Sequence, residues 1–198
     1  MINMEINGTE YQFENEMTIL EAARQHDIKI PTLCYNEYLE PYGGCRICLV
    51  ELVGKAQLIP ACASKIAEGM KIETDSERVW KSRKFVLELL LARTPDSEEI
   101  KALADEFGIP HREESRLDPV GQYLLYRAPK REFTNCVLCN LCVRVCQEIP
   151  QRSALSVVGR GVGRKVQPPF GKAADACIGC QSCAYVCPTN TVTVREVG

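Results

Sequence analysis

Apolar and polar residues alternate from the start of the chain. Ile2, Met4 and Ile6 are separated by polar positions, Asn7-Gly8 follows, and Tyr11 and Phe13 resume the alternation. A period of two marks strands with one buried face, and Asn-Gly favours a tight turn, so the chain is expected to open with a β-hairpin. The period changes at Thr18. Thr18 and Glu21 have the spacing of a capping box, and Ile19, Leu20, Ala22 and Ala23 follow as helix formers, with Pro31 as a stop. A strand is expected over 47–53, with Gly54-Lys55 as its turn. From Glu77 to Arg93 the pattern is helical: Glu77, Lys81, Lys84 and Glu88 make one polar stripe. Val79, Trp80, Phe85, Val86, Leu87, Leu89, Leu90 and Leu91 spread over the rest, so this helix is expected to pack on more than one neighbour. A second helix is expected over 97–107, with Asp96 or Ser97 as cap and Gly108 then Pro110 as stop. Residues 111–119 are polar and read as a linker. Gly159, Gly161 and Gly163 suggest a turn between short strands; no Gly-Lys-Ser/Thr follows, so they are not read as a phosphate loop.

The first elements run hairpin, helix, strand, which is the order of a ubiquitin-like β-grasp. The chain has 198 residues, enough for two small domains, and a net charge of −2, which argues against a nucleic-acid protein. The polar, alternating amino terminus resembles neither a signal nor a transit peptide, and the apolar run 85–92 is too short to span a bilayer. The expectation is a cytoplasmic protein. Twelve cysteines change the picture most. In a reducing compartment disulfides are disfavoured, and closely spaced thiolates point to metal.

Cys136, Cys139, Cys142 and Cys146 follow C-x2-C-x2-C-x3-C spacing, and Cys177, Cys180, Cys183 and Cys187 repeat it, with Pro188 after the last. This is the run of bacterial two-cluster ferredoxins, in which the fourth cysteine serves the other cluster. One [4Fe–4S] set is therefore Cys136, Cys139, Cys142 and Cys187; the other is Cys146, Cys177, Cys180 and Cys183. Zinc ribbons use two separated C-x2-C pairs instead. Gln147 stands where the first run would carry proline, which implies a changed local turn and no lost ligand. Cys34, Cys45, Cys48 and Cys62 form a further set, C-x10-C-x2-C-x13-C. A [2Fe–2S] cluster and a structural zinc are the alternatives there, and the β-grasp order favours the former. Gly43-Gly44 allows the backbone close to such a group.

The stretches Ile30-Pro-Thr-Leu-Cys34 and Gly44-Cys-Arg-Ile-Cys48-Leu-Val-Glu51 resemble the amino-terminal region of the complex I large iron–sulfur subunit. Gly159-Arg-Gly161, Pro168-Pro-Phe-Gly171 and the two cysteine runs share the resemblance, which extends to [FeFe]-hydrogenases, NAD-dependent formate dehydrogenases and the diaphorase small subunit of NAD-reducing hydrogenases. It implies an α+β chain with three parts: a β-grasp [2Fe–2S] domain at 1–75, a helical connector at 76–119 and a two-cluster [4Fe–4S] domain at 120–198. The family usually carries a further cluster on His-x3-Cys-x2-Cys-x5-Cys. Here Thr94, Glu98, Lys101 and Phe107 occupy those places, so that cluster is expected to be absent. His26 and His111 read as surface histidines, and Ser115 fills the cysteine position after His111. No nucleophile–base pair or flavin site is visible.

The resemblance implies an electron-transfer subunit without a catalytic site of its own. Its expected partners are a flavin-bearing, NAD(P)H-oxidising subunit and ferredoxin. Such complexes include electron-bifurcating NAD(P)–ferredoxin transhydrogenases, hydrogenases and formate dehydrogenases. A free-standing ferredoxin-like carrier is the alternative, against which the broadly apolar helix at Glu77–Arg93 argues. Arg127, Lys130, Arg131, Arg160, Arg164 and Lys165 form either a docking face for an acidic ferredoxin or a solvated face.

Overall fold

The structure, a computed structural model, describes residues 1–110, 134–171 and 175–193. The expected linker at 111–119, His111, Ser115, Arg127, Lys130 and Arg131 lie outside the described residues. The chain divides into two compact units, residues 1–86 and 87–198.

The first unit is built on a five-stranded sheet. Strands β1 (Ile2–Ile6) and β2 (Thr9–Phe13) form the expected hairpin, with Asn7 and Gly8 both at positive φ, as its two-residue turn requires. Helix α1 (Ile19–Gln25) follows, then β3 (Leu49–Leu52), β4 (Leu58–Pro60) and β5 (Met70–Glu73). The strand order is β2-β1-β5-β3-β4, with β1 and β5 parallel and the other pairs antiparallel. The strand expected over 47–53 is shorter: Ile47 and Cys48, both fully buried, belong to the loop that precedes it. Met4, Ile6, Phe13, Val50 and Ile72 from the sheet meet Ile19, Leu20, Ala22 and Ala23 from α1 in one core. Burying an aliphatic side chain of this size contributes about 1.5–3 kcal/mol.

The capping box at α1 is complete. Glu21 N–H donates to Thr18 Oγ1 at 3.2 Å, and Thr18 N–H donates to the Glu21 carboxylate at 2.7 Å. The freed amides of Ile19 and Leu20 donate to the carbonyls of Ser64 and Ala61, so the start of α1 holds the loop containing Cys62. Helix α2 spans Glu77–Arg93 as expected. Its buried stripe is Val79, Arg83 and Leu87, whereas Trp80, Phe85 and Leu89 are exposed. Within the described chain α2 is thus covered along a narrow line. The periodicity placed apolar residues on most of its circumference, and a buried arginine was not part of that pattern.

In the second unit α3 (Glu98–Glu106) is capped by Ser97, whose Oγ accepts from Ile100 N–H, and Gly108 ends it at φ +59°. Helices α4 (Leu141–Glu148) and α5 (Ser182–Tyr185) each begin at the residue before the third cysteine of their run. Strands β6 (Ser156–Val158) and β7 (Lys165–Gln167) form the expected small hairpin. Its turn needs Gly159, where a Cβ would lie 2.5 Å from the Gly163 carbonyl oxygen.

Candidate iron–sulfur centres

Cys34 sits after a segment anchored by buried Ile30 and Leu33, Cys45 and Cys48 in the loop before β3, and Cys62 after β4. The fold brings their sulfurs together. Cys48 and Cys62 have Sγ atoms 3.3 Å apart, and the Cys45 N–H donates to Cys34 Sγ at 3.4 Å. Cys34, Cys48 and Cys62 are essentially inaccessible, and no cysteine is in a disulfide. Hydrogen bonds from the Cys45 and Cys62 thiols, then from the amides of Cys45 and Gly44, hold the Cys34 thiol well below its usual range. The Cys62 thiol does the same for Cys48. Cys45 and Cys62 are pushed up, first by those same thiol contacts and then by burial. Four thiols in this pocket cannot all ionise unaided, because each thiolate leans on a neighbour's proton. A group with positive iron lets all four become ligands.

The backbone fits such a group. Gly43 is at φ +64° and Arg46 at +62°, turning the loop so that its amides face the sulfurs. Among the described residues no three His, Cys, Asp or Glu side chains are arranged to hold a single metal ion.

In the second unit the two cysteine runs repeat in backbone conformation. Leu138 and Asn140 have φ of 55° and 65°, and their counterparts Gly179 and Gln181 have 67° and 62°. The two runs thus take the same local winding just before their helices begin. Cys136, Cys139, Cys142 and Cys187 line one cavity of about 770 Å³, together with Arg93, Arg164 and Lys165. Arg93 Nε donates to the Cys136 carbonyl at 2.9 Å, tying the first run to the end of α2. Burial pushes the Cys142 thiol up to about 12, and Cys139, Cys136 and Cys187 add to the shift. Burial also opposes ionisation of Cys187, but the amides of Val192, Thr189 and Thr191 outweigh it and leave that thiol low.

Cys146 of the first run lies near Cys183 of the second. Burial raises the Cys183 thiol, and the neighbouring charges that add to it belong to Cys180 and Cys146. The Ala154 N–H donates to Cys146 Sγ at 3.3 Å. Cys177 and Cys180 are exposed.

The middle site is filled otherwise. Thr94 is fully buried and its Oγ1 donates to the Leu90 carbonyl at 2.8 Å. Glu98 and Lys101 form a surface ion pair, and Phe107 is a buried ring at the end of α3. His26 is exposed; its ring lies tilted against Tyr11 and edge-on to Phe13. Arg160, Arg164 and Lys165 are exposed. Sequence reasoning missed Arg83, which is buried and bonded to the carbonyl next to Cys48; a helical arginine among apolar residues was the only signal.

A 2Fe-2S iron-sulfur cluster binding domain matches residues 1–77, and a 4Fe-4S dicluster domain matches 135–191. The NADP-reducing hydrogenase subunit HndD of Solidesulfovibrio fructosivorans is 34% identical, over 99% of this chain and 36% of its own length. The alpha subunit of an NADPH-Fe(3+) oxidoreductase from Geobacter sulfurreducens is 32% identical over 97% of this chain and 24% of its own. The 75 kDa subunit of the NADH-ubiquinone oxidoreductase of Reclinomonas americana is 29% identical over 98% of this chain and 30% of its own. The chain thus spans roughly a quarter to a third of these relatives. Among solved structures, an NAD+-reducing [NiFe]-hydrogenase chain superposes with a TM-score of 0.77 at 26% identity, covering 96% of this chain and 86% of that one.

Proposed function

We propose that this chain, whose residues 1–77 and 135–191 match a 2Fe-2S iron-sulfur cluster binding domain and a 4Fe-4S dicluster domain, is an electron-relay subunit of an NAD(P)H-linked oxidoreductase. Its ligand sets are Cys34, Cys45, Cys48 and Cys62 for a [2Fe–2S] cluster; Cys136, Cys139, Cys142 and Cys187 for one [4Fe–4S] cluster; and Cys146, Cys177, Cys180 and Cys183 for the other. These fall in the amino-terminal (1–75) and carboxy-terminal (120–198) domains, with 76–119 as connector. Bound clusters supply one-electron chemistry over a wide span of potential. The chain's own residues supply the thiolates, turn backbone amides toward the sulfurs and bury Cys34, Cys48 and Cys62 of the [2Fe–2S] set. The partner proposed is a flavin-bearing subunit that oxidises NAD(P)H, with ferredoxin as a further partner, in a hetero-oligomer. The relatives named above are subunits of such NAD(P)(H)-linked enzymes. Among the described residues no helix is long and apolar enough to cross a membrane.

One observation carries the reading: Cys187 of the second run shares a cavity with Cys136, Cys139 and Cys142 of the first. Two zinc ribbons would each keep their own four cysteines, whereas the two-cluster ferredoxin run exchanges the fourth. Anaerobic metal and sulfide analysis tests it. About ten irons and about ten labile sulfides per chain are expected from one [2Fe–2S] and two [4Fe–4S] clusters. Stoichiometric zinc contradicts the assignment, and so does an iron count near the value of about fourteen that a further cubane at Thr94–Phe107 would give.

A further inference from the structure

Arg83 is 2% exposed and, among the described residues, is the largest of the fully buried side chains. Its Nε and Nη2 donate to the Leu49 carbonyl oxygen at 3.2 and 2.8 Å, and Leu49 directly follows Cys48. Its Nη1 is 3.7 Å from the Asp75 carboxylate, which is 65% exposed. Glu51, two residues after Leu49 on β3, is engaged by Ser76 and Arg78. A buried cation costs several kcal/mol unless it is well paired. One backbone carbonyl satisfies donors but not charge, and a carboxylate standing mostly in water at 3.7 Å is a weak counter-ion. The pairing is therefore incomplete within the polypeptide, and the guanidinium is bonded one residue from a thiol ligand.

We propose that Arg83 is a positioning residue whose fixed charge pairs with the [2Fe–2S] site at Cys34, Cys45, Cys48 and Cys62 and raises its reduction potential. The proposal rests on the ligand assignment above. Reduction adds a negative charge to a buried site. A cation fixed nearby in a low dielectric favours the reduced form, and salt screens it little. Burial lowers the affinity of Arg83 for its proton, and Asp75 and then Cys48 restore part of it, so the guanidinium already feels the ligand thiol. A role confined to bracing β3 against α2 would need only the two hydrogen bonds.

The test uses the whole chain loaded anaerobically, with a redox titration followed by electron paramagnetic resonance. Arg83→Gln keeps an N–H donor for the Leu49 carbonyl without the charge; Arg83→Lys keeps the charge without the fork. Arg83→Gln is expected to shift the oxidised-to-reduced ratio of the [2Fe–2S] signal about tenfold toward the oxidised form, a midpoint lower by about 59 mV for a one-electron couple. Arg83→Lys retains most of the wild-type midpoint, both cubane midpoints stay put, and the difference persists at high salt. A wild-type midpoint in Arg83→Gln, or an equal shift in Arg83→Lys, overturns the proposal. Where Arg83→Gln does not retain the signal, Asp75→Asn decides: removing the carboxylate must raise the midpoint, and an unchanged or lower value overturns it. A wild-type chain with no [2Fe–2S] signal fails the ligand assignment itself, a result distinct from all of these.

Discussion

At Gly43 the chain has φ +64°, and a Cβ there would lie 3.2 Å from the Ala63 Cβ, beside Cys62. Gly44 meets a different neighbour. A Cβ on it would strike the Tyr42 ring at 2.2 Å, but that side chain is 44% exposed and has solvent to swing into. The two glycines therefore differ in what they forbid. Gly43→Ala incurs the left-handed penalty of about 1–2 kcal/mol plus crowding against backbone-fixed Ala63. Gly44→Ala costs less, because a side chain yields more readily than a backbone. Denaturant unfolding of the two variants in the loaded chain checks the order. A larger loss for Gly44→Ala would show that the Tyr42 ring is held in place. The same scale explains how Leu138 and Gly179 share one backbone conformation. Gly179 adopts it without a Cβ, whereas Leu138 carries strain at φ 55° next to buried Val137 and Cys139.

Among the elements, α1 has the clearest link to a site. It has seven residues, too few to be helical alone, so its cap and its core face must hold it. Thr18→Ala removes the acceptor for Glu21 N–H and leaves the Glu21 carboxylate with one donor fewer, at a cost of about 1 kcal/mol. The Ile19 and Leu20 amides carry that disturbance to Ser64 and Ala61 around Cys62. Thr18→Ala is accordingly expected to lower the unfolding midpoint and to speed loss of the [2Fe–2S] absorbance to a chelator, with Thr18→Ser restoring both. A variant that loses stability with unchanged cluster release would separate the cap from the Cys62 loop. Helix α2 shows the opposite relation between pattern and outcome. Its ends agree with its propensity and charge pattern, yet its buried face was misjudged, because the first unit offers it only a narrow strip that includes the Leu49 carbonyl.

For the whole molecule, residues 1–86 contain Cys34, Cys45, Cys48 and Cys62, and residues 87–198 contain the other eight cysteines. Each set draws its contacts from its own unit. Cys48→Ser is therefore expected to abolish the [2Fe–2S] signal and leave both [4Fe–4S] signals at wild-type intensity. Loss of all three would mean that folding of the second unit depends on the first. The exposed Trp80, Phe85 and Leu89 on α2 suit the heteromeric reading, since large apolar side chains left in water are what a partner protein covers.

What the sequence by itself determined was local. The hairpin at Asn7-Gly8, the cap at Thr18, the extent of α2 and the start of α3 at Asp96 or Ser97 all follow from short-range backbone preferences, which a few neighbouring residues encode; the structure chose Ser97. Ligand spacing belongs here too, because three thiols two residues apart have few ways to face one centre. The tertiary structure alone decided what depends on distant pairing. Strand β5 runs parallel to β1 from far along the chain, Met4 facing Met70, and its alternation of Met70 and Ile72 with Lys71 and Glu73 is only four residues long, too short to name its partner. Which cysteines group was legible in their spacing; the distances at which they meet, such as 3.3 Å between the Cys48 and Cys62 sulfurs, come from packing. The burial of Arg83 beside Cys48 comes from it as well: helical periodicity says which residues share a face, but only the opposing sheet decides which face is covered and which carbonyl awaits a donor there.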